Sequence, residues 1–137
     1  MMKSTELYDF AKEKDILIIN DKVKKSPSMS MMEEGLCTIV IDNKQIHSSV
    51  EENVITAHEV GHCETGAFYD ENSLELRSRM EHRADRWAIK KLIPEDELIE
   101  AFENNILETW NLAEHFEVTE EFMIKALEFY GYYHRAI

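Results

Sequence analysis

The run His58-Glu59-Val60-Gly61-His62 sets two imidazoles four residues apart with a carboxylate between them. On an α-helix residues i and i+4 share a face, so the two rings can take one metal ion between them. Glu59 lies one step around the same turn, within reach of a water on that ion. Residue types and spacing together predict metal-assisted hydrolysis, with His58 and His62 as ligands and Glu59 as the base. A catalytic zinc takes three protein ligands and keeps its fourth position open, so the pattern calls for a third ligand elsewhere in the chain.

The best segment for that ligand is Arg79 to Ile93, which reads as a second helix. Glu81, Asp85, Ala88 and Leu92 recur at helical spacing, Arg83, Arg86 and Lys90 fall on more polar faces, and Pro94 closes the run. Glu81 is read as the third ligand. Asp85, one turn later, faces the same way and can accept a hydrogen bond from the free ring nitrogen of a ligand histidine. His82 is a competitor for the metal, but it points about 100 degrees away from Glu81 and is read as facing solvent. This Glu-x-x-x-Asp arrangement after the first motif is similar to that of thermolysin-like proteases. Plainer readings exist for each residue: a lone histidine on an apolar face is commonly a satisfied core residue, and Asp85 could pair with arginines on a wet face. The combination favours a metal site holding one Zn2+ per chain. Tyr69, His47 and His115 stand as open candidates for an oxyanion-stabilising group, and nothing in the spacing selects one.

HEVGH followed by EHRADRWAIKKLIP from Glu81 to Pro94 resembles the ImmA/IrrE family of small metallopeptidases found in phages and integrative elements. Glu81, Ala84, Asp85, Trp87, Ala88 and Pro94 carry the likeness. Arg83 stands where many members have Glu or Gln, and the N- and C-terminal thirds match only in general character. The resemblance implies a zincin-like fold and zinc-dependent cleavage of a phage-type or stress-response repressor, which lifts transcriptional repression. The rival reading is a zinc-stabilised, non-catalytic module that binds a transcriptional regulator without cutting it. Glu59 argues against that, since a purely structural ion takes four protein ligands and has no need of a base.

Other elements must hold these residues. Ser48 or Ser49 can cap the first metal helix, Glu51 and Glu52 suit its positive end, and Val54, Ala57, His58 and Gly61 form its expected buried stripe. Gly61 costs about 1 kcal/mol against Ala inside a helix, so it marks either close packing or the start of the helix end. Upstream, Thr5 to Lys14 reads as a helix and Ile16 to Ile19 as a strand. Lys22 to Glu34, with Pro27, reads as a loop or weakly formed edge structure, and Leu36 to Ile41 as a second strand. Either that second strand or the loop before it could align an extended substrate by main-chain hydrogen bonds. After Pro94 the chain reads as helical to Gly131, and NLAEHFEVTEEFMIKALEFYG resembles a helix-turn-helix. The expected fold is therefore α+β. It comprises a mostly helical zincin-like domain over residues 1–93, with a small N-terminal sheet and the HExxH helix packed on the second ligand-bearing helix. An acidic, all-helical, helix-turn-helix-like extension over 94–137 packs on it.

Charge narrows the partners. The chain carries 28 acidic residues against 15 Lys and Arg, for a net charge of -13. From Pro94 onward there are eleven acidic residues against Lys125 and Arg135. Such a surface would repel a phosphate backbone, so direct nucleic-acid binding is not expected and the partner is read as a protein. An acidic tail would steer a basic DNA-binding repressor toward the site, unless its charge only keeps the chain soluble. No apolar run is long enough to span a bilayer, and MMKSTELYDF has no signal-peptide core, which points to the cytoplasm. Cys37 and Cys63 are expected to be free thiols there. Because ligand imidazoles must be neutral, metal binding is expected to weaken as pH falls through about 6 to 5.

Overall fold

The computed structural model describes residues 4–68 and 74–132. The elements run α1 (Ser4–Glu13), β1 (Leu17–Asn20), β2 (Ser28–Glu33), β3 (Leu36–Ile41), a 3-10 turn (Asn43–Gln45), α2 (Ser49–Thr65), α3 (Leu74–Leu92), α4 (Glu95–Glu103), α5 (Thr109–Phe116) and α6 (Glu120–Tyr130). The class is α+β, as the pattern predicts. The sheet has the order β1-β3-β2, with β1 parallel and β2 antiparallel to β3. Glu34 and Gly35 join β2 to β3 with φ of 51° and 79°. Two successive positive φ values match the right-handed twist of a hairpin, and Gly35 takes the second at no steric cost.

The stretch read as a loop or weak edge is a loop only as far as Pro27. From Ser28 it is an edge strand with its alternation inverted: Ser28 and Ser30 turn toward α2 while Met29 and Met31 face outward. Register explains the inversion. Ser30 pairs with Ile39 and Ser28 with Ile41, and both isoleucines are fully buried beneath the helices. β3 is hydrogen-bonded along both edges, so it is not the strand that can take up a substrate. That part of the sequence expectation gives way to β2.

α2 opens with the Ser48 side chain accepting from the Glu51 amide and closes on Gly66 in the left-handed conformation. Its buried residues are Asn53, Thr56, Ala57, Glu59, Val60, Gly61 and His62, a band wider than the predicted stripe and shifted from it, since Val54 and His58 are only half-buried. The reason is position: α2 is enclosed by α1, α3 and the sheet. Where α3 crosses it, a Cβ on Gly61 would lie 2.6 Å from the Ala84 carbonyl oxygen. Gly61 is thus a packing requirement and not a helix end. Ala at this position should lower stability by roughly 1–3 kcal/mol, reversing the ~1 kcal/mol that Ala contributes in an open helix. A denaturant midpoint unchanged or raised in Gly61→Ala would contradict the close crossing.

One buried cluster joins Leu7 and Ala57 to Ala88, Leu92 and Ile93 and on to Leu98, Phe116, Phe122 and Met123, so the helices after Pro94 share their core with α1, α2 and α3. Asn53 Nδ2 donates to the Glu117 carbonyl at 3.1 Å, and the Tyr130 hydroxyl donates to that of Ile93 at 2.7 Å. A second cluster, with Ala11, Ile16, Ile39, Ile41 and Val60, lies between sheet and α2. Among the described residues no helix is long and apolar enough to cross a membrane.

The cysteines depart from expectation. Cys37 of β3 and Cys63 of α2 form a disulfide, with Cα atoms 5.8 Å apart and a separation of 26 positions in sequence. They meet because β3 packs directly on the last turns of α2. A closed loop of that length restricts the unfolded chain by about 3.5 kcal/mol. Replacing both cysteines by Ser should therefore lower the melting temperature by roughly 10 °C. A shift of only a degree or two would mean the crosslink contributes little.

Candidate metal and catalytic site

α2 presents His58 and His62 with their rings edge to face, centroids 4.7 Å apart. The two Nε2 atoms approach to 3.1 Å. Glu81, reaching across from α3, brings Oε2 to 2.7 Å from His58 Nε2 and Oε1 to 3.2 Å from His62 Nε2. These three residues form a group able to hold a metal ion. Ligand atoms around a tetrahedral zinc with bonds of 2.0–2.1 Å are spaced about 3.3 Å apart, so the donors already stand near that spacing. The His, His, carboxylate set with the rest of the surroundings open fits a catalytic zinc.

Ring orientation adds to the fit. His62 Nδ1 donates to the Ala67 carbonyl just past the end of α2. His58 Nδ1 lies 2.7 Å from Asp85 Oδ1. With both Nδ1 positions tied down, both Nε2 atoms face Glu81, and once they give up their protons their lone pairs are the ones a metal requires. Asp85 is held in turn by Lys125 of α6, whose Nζ lies 3.5 Å from Oδ2. The structure brings His58, His62, Glu81 and Asp85 together as their spacing predicts, and leaves His82 exposed.

Electrostatics follows from these contacts. Burial acts most strongly on His58 and pulls its pKa down, but the hydrogen bonds to Asp85 and Glu81 prevail and carry it up to about 10. For His62 burial also pulls down most, and the bonds to Glu81 and the Ala67 carbonyl leave the ring above its ordinary value. Desolvation pushes Asp85 up, yet the His58 bond and charge outweigh it and hold the carboxyl below the ordinary range. Metal-free, the site holds a proton where the metal would bind.

Glu59 is 6% exposed and is not one of the three donors. Its Oε2 accepts from the Ser28 hydroxyl at 2.6 Å. Ser28, Lys125 and the Ala67 carbonyl are the parts of the site that sequence reasoning missed, and no spacing rule points to any of them. Of the oxyanion candidates, His47 and His115 are exposed and line neither cleft beside the metal group, and Tyr69 lies outside the described residues. One cleft lies between α2, α3 and α6, the other between the sheet, its preceding loop and α3. Ser28, His58 and Glu81 are common to both, so the metal group sits where they meet.

A family model, Peptidase_M78, described as the IrrE N-terminal-like domain, matches residues 6–128. Comparison with curated proteins gave no match, and neither did comparison with solved structures.

Proposed function

The chain belongs to the IrrE N-terminal-like domain family of peptidases, and on that premise we propose that it is a zinc-dependent endopeptidase that cuts a cytoplasmic regulatory protein. The observation carrying this reading is Glu59, an acid beside three metal donors yet not one of them. A site that only stabilised the fold would have no use for it. His58, His62 and Glu81 would hold the ion. When bound, zinc supplies a Lewis acid that lowers the pKa of water toward about 7 and polarises a carbonyl.

The chain's own groups do the rest. Glu59 takes a proton from the attacking water and passes it to the leaving amine. Ser28 fixes Oε2, which leaves Oε1 free to face the water. Asp85, steadied by Lys125, keeps the His58 ring aimed. The outer edge of β2 has no partner strand among the described residues, and Ser28, Met29 and Ser30 line the cleft beside Glu59. An extended peptide can add there as a fourth strand. Adding a peptide substrate to the Glu59→Gln variant should slow amide exchange at Ser28–Glu33 while Leu36–Ile41 stays as it was. No slowing on β2 would remove the strand-addition step.

The substrate we favour is a phage-type DNA-binding repressor whose cleavage relieves repression. Support comes from the family and from the acidic helices after Pro94, which present a protein-docking surface of the sign that attracts a basic partner. Mixing the protein with repressors of this type should give a fragment that is absent with Glu59→Gln. If every such repressor stays intact, this choice of substrate is wrong.

A further inference from the structure

The cleft on the sheet side of His58 differs in charge from the molecule around it. Setting aside the metal group and Glu59, the charged residues lining it among those described are Lys24, Lys25 and Arg77. All three are cations, in a chain whose net charge is -13. Neither lysine has an ion-pair partner among the described residues.

The loop that carries the lysines is fastened at both ends. Buried Val23 donates its amide to Asp42 Oδ2 at 3.2 Å, and Gln45 Nε2 donates to the Val23 carbonyl at 2.8 Å and to Asp42 Oδ2 at 2.9 Å. On the far side, the Ser26 hydroxyl donates to the Ser28 carbonyl at 2.8 Å, just where β2 begins. Lys24 and Lys25 are therefore held beside the start of the strand that positions Glu59. The cleft across His58 is different in kind, lined by Val54, Ile55 and Phe122 together with Asp85, Glu121 and Lys125. A peptide crossing the metal group passes from one electrostatic setting to the other.

We propose that Lys24, Lys25 and Arg77 are specificity determinants that select a cleavage segment bearing Asp or Glu on one side of the scissile bond. The inference rests on the peptidase reading above and sharpens it: the cut falls in an acidic stretch even where the substrate as a whole is basic. The two charge effects separate by range. The acidic helices act on the approaching partner over a Debye length of about 8–10 Å, whereas the three cations act at contact once the chain lies in the cleft.

A synthetic oligopeptide library, incubated with the zinc-loaded protein and read by mass spectrometry of new termini, tests this, with Glu59→Gln as background. The wild type should enrich acidic residues about fivefold at one position within a few residues of the cut, an effect that fades as salt is raised. In the double variant Lys24→Glu, Lys25→Glu the enrichment should vanish or turn to Lys and Arg at that same position. Both lysines are exposed, so the fold should survive, and unchanged zinc content and circular dichroism would verify that. Cleavage with the same preferences in both proteins, or with no acidic preference in the wild type, overturns the specificity assignment and leaves the peptidase reading standing. No cleavage above the Glu59→Gln background overturns both.

Discussion

Glu59→Gln should keep its zinc and lose about a thousandfold in cleavage rate, within the 10²–10⁴ that a positioned general base supplies. The two halves of this result have separate structural causes. Zinc is retained because the donor group is His58, His62 and Glu81, none of which the change touches. The fold is retained because Gln has the shape of Glu and its amide oxygen can still accept from the Ser28 hydroxyl. What disappears is the acid's ability to take up and release a proton. The measurement is a single-turnover rate on a cleavable peptide, set beside metal content per chain. A rate within tenfold of wild type would mean that Glu59 is not the base. Loss of zinc would place Glu59 among the ligands and undo the donor assignment.

The parts of this site that could be read in advance share one property: they are written in local spacing. His58 and His62 are a turn apart on one helix, as are Glu81 and Asp85 on another, and helical geometry alone puts each pair on one face. The limits of β3 are local in the same sense, and they appear where the pattern sets them. What stayed hidden depends on contacts between distant segments. Ser28 meets Glu59 across 31 residues, Lys125 meets Asp85 across 40, and the cysteines pair across 26. β2 was hidden for another reason. Its serines turn toward the site and its methionines outward, so the usual rule that apolar residues point inward misleads there. Gly61 lay between these cases: its cost to the helix was visible, but only the Ala84 carbonyl shows why it is incurred.

Zinc affinity should rise about tenfold for each pH unit between roughly 7 and 9, well above the 6 to 5 window expected of ordinary imidazole ligands. The shift originates in the carboxylates. Without metal, the protonated His58 ring donates Nδ1–H to Asp85 and Nε2–H to Glu81, both at 2.7 Å, and these bonds carry the ring to about 10. The sign is that of a cation stabilised by folding: a pKa raised above 6.5 contributes stability to the metal-free protein that is complete below 6.5 and lost as pH climbs through about 10. Zinc must displace that proton to reach His58 Nε2, so across this window proton and metal compete one for one, and affinity follows the fraction of His58 already deprotonated. Chelator competition over the pH range gives the slope, and calorimetry in two buffers of different ionisation enthalpy counts the protons released. Asp85→Asn separates this from a general effect of alkali. It removes the hydrogen bond that does most to raise His58, so the slope should flatten at the upper end of the window. The same change should weaken limiting affinity by 10- to 100-fold, since the ring loses its anionic partner. Wild-type affinity that is flat from pH 7 to 9 would show that His58 is already neutral in the metal-free protein, and that the Glu81 and Asp85 contacts do not hold the proton assigned to them.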